Sequence, residues 1–225
     1  MLMRKKKEII IIALIIISVT AISTITGIAV QQNGIKKRTA LLMEEKEKAA
    51  YEVSIEGLLR EHSAEKAAAE LAIPNYSSSD IHKMDMSKPS GLTAADLKLI
   101  TKGGLKGLED AFIKAEKDYG VNPLFLISIA SLESADGTIC FRPNNMFGFG
   151  SRSYSSKEAC IYDVAESIKK NYLTPGGAFY YGTTISAVNK KYAASTTWDD
   201  RLESKVKSYY STIRKKRSEA IEKLK

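Results

Sequence analysis

The stretch YGVNPLFLISIASLESADG, Tyr119 to Gly137, decides how this chain folds. Asn122 is a good N-cap, and Pro123 suits the first helical position because its missing N–H costs nothing there. Gly137 is a natural stop signal. No charged residue occurs between Pro123 and Leu132. The stretch therefore predicts a helix that is apolar on all sides and lies in the middle of a core.

Glu133 is the first charged residue of this helix and lies at its C-terminal end. A carboxylate at that position is expected to sit in low dielectric beside the negative helix pole, and both effects favour its protonated form. A carboxylic acid that stays protonated near neutral pH is what general-acid cleavage of an ether-like bond requires. The helix taken alone fits a solvated surface Glu equally well.

The segment CFRPNNMFGFGS, Cys140 to Ser151, follows the helix and is rich in Asn, Gly and aromatic residues. It is too polar for a core strand and too aromatic for an idle loop. Flat aromatic faces beside Asn amides are typical of sites that hold sugar rings. A short hairpin within residues 139–154 is the structure expected here.

Four stretches of the chain resemble the bacterial endo-β-N-acetylglucosaminidases, which are peptidoglycan hydrolases of the autolysin, phage-lysin and flagellar cell-wall-hydrolase type. They follow the family order between about residues 88 and 210 and read KPSGLTAADL, AEKDYGVNPLFLISIASLES, NNMFG and NYLTPGGAFYYGTTISAVNKKYA. The resemblance implies a mostly α, lysozyme-like helical domain with a small β-lobe. The activity that it implies is hydrolysis of the β-1,4 bond between N-acetylglucosamine and N-acetylmuramic acid.

The resemblance also implies a set of site residues. Glu133 matches the catalytic acid of the family. The expected substrate-binding residues lie in the NNMFG element and in the last stretch: Asn145, Phe147, Gly148, Tyr181 and Tyr192. From the residues themselves, Phe147 fits a cleft wall and a packed core position equally well, and so does Tyr192. Trp198 is assigned to the core, on the buried stripe of the last helix.

A second catalytic carboxylate is missing from the place where the family is expected to have one, because no Asp or Glu occurs between Asp136 and Glu158. Two-carboxylate glycosidases need partners about 5–9 Å apart. Glu158 is better explained as the N3 residue of a capping box that Ser155 opens. The second group is therefore left open between Asp136, the acetamido group of the substrate, and a water held by Tyr or Asn.

The N-terminal residues predict a membrane anchor. Residues 1–8 form a basic flank, and residues 9–30 carry no charge. About 20 apolar residues cross a bilayer. The flank predicts a single-pass protein of the cell membrane with its N-terminus in the cytoplasm and its catalytic domain outside. A cleaved signal peptide is the alternative.

The rest of the chain divides by composition. Residues 31–75 are rich in Ala, Glu, Lys and Leu and predict a helical stalk, through which self-association is possible. Residues 76–91 are Ser-rich and predict a linker. The resemblance implies a glucosaminidase domain over residues 92–213, and residues 214–225 are predicted to form a basic tail. The net charge of +8 suits an anionic cell wall and its glycan strands rather than nucleic acid.

The remaining chemistry is limited. His62 and His82 are the two histidines and lie outside the domain and far apart, so neither a metal nor a cofactor is expected. Cys140 and Cys160 are equally compatible with a disulfide and with two free thiols. Two other functions stay open: a muramidase or lytic transglycosylase on the same fold, and a non-enzymatic glycan-binding or assembly protein.

Overall fold

The fold was obtained as a computed structural model, and the structure describes residues 31–57 and 78–222. The chain divides into two compact units, residues 1–53 and residues 54–225. Helices dominate both described ranges, as the sequence predicts, and the expectation of a mostly α protein is confirmed. The lysozyme-like arrangement of those helices stays a prediction.

Residues 31–57 are helical (α1), and every residue from 31 to 50 is exposed. This part of the sequence was predicted as a stalk because of its strong helix formers, and the helix forms. The remainder of the predicted stalk lies outside the described residues. Self-association through it stays a prediction.

Seven helices follow in the second unit within residues 78–222. In chain order they are α2 (Ser78–Lys83), α3 (Ala94–Lys98), α4 (Glu109–Tyr119), α5 (Pro123–Ser134), α6 (Lys157–Ile168), α7 (Ile185–Tyr192) and α8 (Trp198–Glu222). A 3₁₀ turn covers Gly103–Leu105, and a π-helical turn, Lys169–Leu173, directly follows α6. The core lies around α5, which packs against α4 and α8.

The central helix α5 begins as its sequence predicts. Asn122 accepts a hydrogen bond from the backbone N–H of Leu124 at 2.9 Å, and Pro123 occupies the first position. The Asn122 amide also donates to the Tyr210 hydroxyl of α8 at 3.1 Å. Ten of the twelve residues of α5 are buried, which agrees with its lack of charge. The helix ends at Ser134, before the predicted stop at Gly137, because Ala135 takes the left-handed conformation.

The predicted small β-lobe is absent from the residues that the structure describes, and this expectation is wrong. Residues 139–154 form turns instead of a hairpin. Asn144, Gly148 and Gly150 have φ of 58°, 59° and 61°. Left-handed residues at this spacing bend the backbone repeatedly, and an extended strand requires the opposite sign of φ.

Residues 78–91, the described part of the predicted linker, contribute to the core of the second unit. They contain α2, and Ile81 and Met86 are 1% and 0% exposed. Met86 also donates a backbone hydrogen bond to Thr183 and accepts one from Asn122, both at 2.9 Å. The Ser-rich composition predicted a linker, but a small number of apolar residues is enough to pack the segment against the core. The structural domain therefore starts before residue 92.

Residues 214–222 of the predicted basic tail are likewise part of the fold, because α8 continues to Glu222. Arg217 is 3% exposed, and its Nε donates to Oδ1 of Asp96 in α3 at 2.9 Å. Asp96 is fully buried. A buried cation beside a buried carboxylate satisfies both charges, which explains how a basic residue near the chain end enters the core.

The predicted membrane localisation requires a correction. No helix among residues 31–57 and 78–222 is long and apolar enough to cross a membrane. The prediction of a single-pass protein of the cell membrane is corrected on this finding. The anchor predicted at residues 9–30 and its basic flank lie outside the described residues.

Two further details differ from expectation or resolve an alternative. The N-cap of α6 is Ser156, whose side chain accepts from the Ala159 N–H at 3.1 Å, so the predicted cap at Ser155 is displaced by one residue.

Cys140 and Cys160 are free thiols. Burial raises the pKa of Cys160 to about 11.

Candidate active site

Glu133 lies in the last turn of α5, where the helix leaves the core. Ala130 and Ser131 before it are buried, whereas Glu133 itself is exposed. The expectation that the apolar helix would enclose this carboxylate is therefore wrong. An apolar sequence fixes the burial of the helix body, and the end of the helix projects its carboxylate onto the protein surface.

The carboxylate of Glu133 is held by Trp198, the first residue of α8. The indole Nε1 donates to Oε1 of Glu133 at 2.9 Å. The Trp198 ring is stacked on Tyr192, with centroids 4.9 Å apart and planes at 28°. Because the stacked ring is 3% exposed, it holds its N–H in one direction. The bond orients the Glu133 side chain.

Sequence reasoning missed the role of Trp198 by assigning it to the core. The ring is indeed buried, but its one polar atom points at the carboxylate. A signal was present in the sequence, since a buried Trp N–H usually finds a hydrogen-bond partner and Trp198 is the single Trp of the chain. That signal does not identify the acceptor, because Glu133 lies 65 residues earlier in the chain.

The second oxygen of Glu133 lies beside Gly148. A Cβ built on Gly148 would come within 3.5 Å of Oε2. Gly148 also has a φ of 59°, a backbone conformation that a side chain makes strained. The glycine thus meets a conformational need and leaves space in front of Oε2.

Glu133 and Gly148 line a cavity of about 170 Å³. The other lining residues come from the loop between α5 and α6: Ile139, Phe141, Arg142, Asn145 and Gly150. Of the predicted site residues, Glu133, Asn145 and Gly148 are therefore brought together. Among the described residues that line this cavity, Glu133 is the single acid.

Asn145 organises the loop on which the cavity depends. Its Oδ1 accepts from the Phe149 N–H at 3.0 Å. Its Nδ2 donates to the carbonyl oxygens of Phe149 and Arg152 at 3.2 and 3.0 Å. Because the backbone of the loop uses both ends of the amide, Asn145 positions the loop around the cavity. Its predicted contact with substrate stays a prediction.

Phe147 does not take the predicted position in the cleft. It is 1% exposed and belongs to the hydrophobic core. The prediction that Phe147 binds substrate is corrected, because a ring without exposed surface offers no face to a sugar. Gly148, the next residue, lines the cavity, whereas Phe147 and Met146 before it are both buried.

The two predicted tyrosines have different surroundings. Tyr192 lies behind Trp198, and its hydroxyl is buried with no hydrogen-bond partner among the described residues. Burial, followed by the negative charge of Glu133, raises the pKa of Tyr192 well above its ordinary value. Tyr181 is 52% exposed and is not among the residues that line the cavity. The Nζ of Lys190 lies 5.4 Å from the centroid of its ring.

Neither candidate for a second carboxylate lines the cavity. Asp136 accepts a hydrogen bond from the Ser131 hydroxyl and so closes the end of α5. Glu158 lies in the first turn of α6, where hydrogen bonds from its own N–H and from the Ser156 hydroxyl lower its pKa. Both acids have local structural roles.

The arrangement offers no metal centre in the described ranges. No group of three or more His, Cys, Asp or Glu side chains there is placed to hold a metal ion. The chemistry that the cavity can support is proton transfer by a single carboxyl group.

Comparisons with known proteins found similar sequences and structures. Residues 109–211 match the Glucosaminidase family, described as mannosyl-glycoprotein endo-beta-N-acetylglucosaminidase. The matched residues run from the first residue of α4 into α8 and include Glu133, the cavity loop and Trp198. Residues 109–211, a little under half of the chain, are therefore similar to a glucosaminidase domain.

Curated relatives are similar to part of this chain at modest identity. A beta-N-acetylglucosaminidase of Bacillus subtilis (strain 168) is 29% identical over 146 residues, which cover 57% of this chain and 16% of the relative. A putative endo-beta-N-acetylglucosaminidase of Streptococcus pneumoniae serotype 4 is 29% identical over 104 residues, covering 41% and 16%. The chain thus spans less than a fifth of the length of these relatives.

A solved structure also resembles this chain. The crystal structure of S. aureus Autolysin E gives a TM-score of 0.49 at 21% identity. The match covers 64% of this chain and 76% of that chain.

Proposed function

We propose that this protein is a peptidoglycan hydrolase that cleaves the β-1,4 bond between N-acetylglucosamine and N-acetylmuramic acid, with Glu133 as general acid. The observation that carries the proposal is the hydrogen bond from Trp198 to Glu133 at the edge of a cavity. The similarity to a glucosaminidase domain supports the reaction class.

The two oxygens of Glu133 have different surroundings. This difference determines which oxygen can carry the proton that is donated to the glycosidic bond. Oε1 accepts the indole N–H, so an acidic proton belongs on Oε2. Oε2 lies on the side of Gly148, where no side chain blocks access. A glycosidic oxygen placed there could accept the proton as the bond to the leaving sugar breaks.

The exposure of Glu133 in the free protein is compatible with this role if the substrate covers the carboxyl group. A glycan strand in the cavity would exclude water from Oε2 and place its glycosidic oxygen beside that atom.

Glu133 acts as the acid, so another group must attack the anomeric carbon or stabilise the sugar cation. In the described part of the chain, no second carboxylate lines the cavity. The acetamido group of the substrate is therefore the partner that we propose, because it can attack the anomeric carbon within the same sugar. Substrate-assisted hydrolysis of this kind is an established exception to the two-carboxylate rule.

Product analysis tests the proposal. The full chain is incubated with purified peptidoglycan, and the soluble products are analysed by mass spectrometry after borohydride reduction. We expect reduced N-acetylglucosamine at the new ends. A reduced N-acetylmuramic acid end would indicate a muramidase, and a 1,6-anhydro-muramyl end a lytic transglycosylase. Either result would overturn the proposed bond specificity.

A further inference from the structure

A cationic side chain lines the Glu133 cavity and has no role in the proton transfer described above. Arg142 is exposed and is the one basic residue among the described residues that line this cavity. Within residues 31–57 and 78–222, no ion pair or hydrogen bond engages its guanidinium. The group is free to bind a ligand.

The other basic groups of the same loop region are already engaged, which sets Arg142 apart. Arg152 forms an ion pair with Asp163 at 2.6 Å. The Nζ of Lys157 donates to the carbonyl oxygens of Gly104 and Gly137 at 2.9 and 2.8 Å. Both side chains therefore have structural partners.

The backbone holds Arg142 in place beside the cavity. Pro143 follows it, and a residue before proline is restricted to extended conformations. The Arg142 carbonyl oxygen accepts from the Asn145 N–H at 3.0 Å, and the Pro143 carbonyl oxygen accepts from the Tyr154 N–H at 2.9 Å. These two hydrogen bonds fix the backbone at Arg142 and Pro143, so the Arg142 side chain extends from a fixed backbone position.

Two apolar side chains accompany the cation. Phe141 is 93% exposed and Ile139 is 60% exposed, and both line the same cavity. Cys140 between them packs against the core. The alternation turns the two large apolar groups outward together, next to the catalytic carboxylate. Exposed apolar surface beside a site of this kind is typical of a surface that a ligand covers.

We propose that Arg142 and Phe141 form a subsite for a carboxylate-bearing sugar next to the bond that is cleaved. The guanidinium binds the carboxylate through its planar fork of N–H donors, and the Phe141 ring covers the face of the sugar. This inference rests on the proposed function and adds a basis for selectivity. Every second sugar of a peptidoglycan strand carries a lactyl carboxyl group, either free or linked to a peptide with its own carboxylates. A polymer of N-acetylglucosamine carries none.

Binding measurements separate this subsite from catalysis. The full chain carrying Glu133→Gln is titrated calorimetrically with two tetrasaccharides of equal length. One alternates N-acetylglucosamine with N-acetylmuramic acid bearing a free lactyl carboxyl group, and the other contains N-acetylglucosamine alone. Adding Arg142→Gln should reduce the preference for the anionic ligand about tenfold, as expected for one charge-assisted hydrogen-bonded pair.

Companion variants sharpen the test. Arg142→Lys should restore part of the preference, because it keeps the charge and loses the fork. Phe141→Ala should weaken the binding of both ligands. Arg214→Gln removes the same charge from an exposed position of α8 and should leave the preference unchanged. A third ligand with its peptide attached shows whether the lactyl or the peptide carboxylate is bound.

The contradicting results are equally defined. An unchanged preference in Arg142→Gln, or an equal loss in Arg214→Gln, would overturn the subsite. So would failure of the Glu133→Gln protein to bind the anionic ligand. A preserved preference together with undigested peptidoglycan from the wild-type protein would instead refute the proposed hydrolysis and leave the subsite standing.

Discussion

The indole N–H of Trp198 donates a 2.9 Å hydrogen bond to Oε1 of Glu133, and this contact joins the first turn of α8 to the last turn of α5. It separates the two oxygens of the carboxyl group into one that is held and one that faces the cavity. The stacking of Trp198 on Tyr192 stiffens the arrangement. Glu133, the one acid among the described residues that line the cavity, therefore has a defined orientation.

Trp198→Phe should lower kcat about tenfold with little change in KM. Phe keeps an aromatic ring against Tyr192 but lacks the N–H donor. A hydrogen bond to the carboxylate that forms as the proton leaves is worth about 1.5 kcal/mol. The measurement is steady-state hydrolysis of soluble peptidoglycan fragments. A rise in KM at unchanged kcat would mean that Trp198 binds substrate instead of orienting the acid.

Gly148→Ala should reduce activity by more than tenfold, because the added methyl group occupies the space in front of Oε2. It should also cost about 1–2 kcal/mol of folding free energy, since Gly148 has a positive φ. Gly107→Ala is the matched control. Gly107 also has a positive φ, but a Cβ there meets no atom within 4 Å and it does not line the cavity. Equal losses of activity in both variants would show that backbone strain, and not the space in front of Oε2, explains the effect of Gly148→Ala.

Arg217→Met should destabilise the fold by about 3–5 kcal/mol, because it leaves the fully buried Asp96 carboxylate without its cation. The double variant Asp96→Leu, Arg217→Met should lose less than half as much, since no unpaired charge remains. Lys216→Met is the control, because its ion pair with Glu219 is exposed and such pairs contribute about 0–1 kcal/mol. Urea unfolding gives the three values. An Arg217→Met variant as stable as the wild type would contradict the placement of Arg217 in the core.

Glu203 should give the folding free energy a measurable pH dependence. Burial raises its pKa, His82 opposes this, and Asp199 and Asp200 add to it. A carboxyl group with a raised folded pKa contributes stability that is fully present below its unfolded pKa and is lost as pH rises through the folded value. Relative to Glu203→Gln, the wild type should therefore be most favoured near pH 4 and progressively less favoured towards pH 7. Chemical denaturation across this range checks it, and a difference that does not change with pH would contradict it.

Short-range signals in the sequence identified the central helix and its acid. Asn122 and Pro123 mark the start of α5 because N-capping and the missing N–H of proline act within one turn. The absence of charge up to Leu132 predicts burial, which the structure confirms. These features depend on neighbouring residues, so they are readable without a fold.

Long-range contacts set the features that the sequence did not reveal. The partner of Glu133 is 65 residues away and that of Asp96 is 121 residues away. The turns that replace the expected hairpin follow from left-handed residues such as Asn144, whose side chain donates to the Tyr154 carbonyl oxygen at 2.9 Å. Tertiary hydrogen bonds of this kind decide whether Phe147 faces the core or the cleft, and alternation alone does not.

The central claim is that Glu133 supplies the proton for glycan cleavage, and an isosteric substitution tests it most directly. Glu133→Gln in the full chain is compared with the wild type and with Glu158→Gln, a matched change at an acid of the first turn of α6. Release of reducing ends from peptidoglycan should fall about 10²–10⁴-fold in Glu133→Gln alone, with an unchanged circular dichroism spectrum. A folded Glu133→Gln protein that retains activity within tenfold of the wild type would contradict the account.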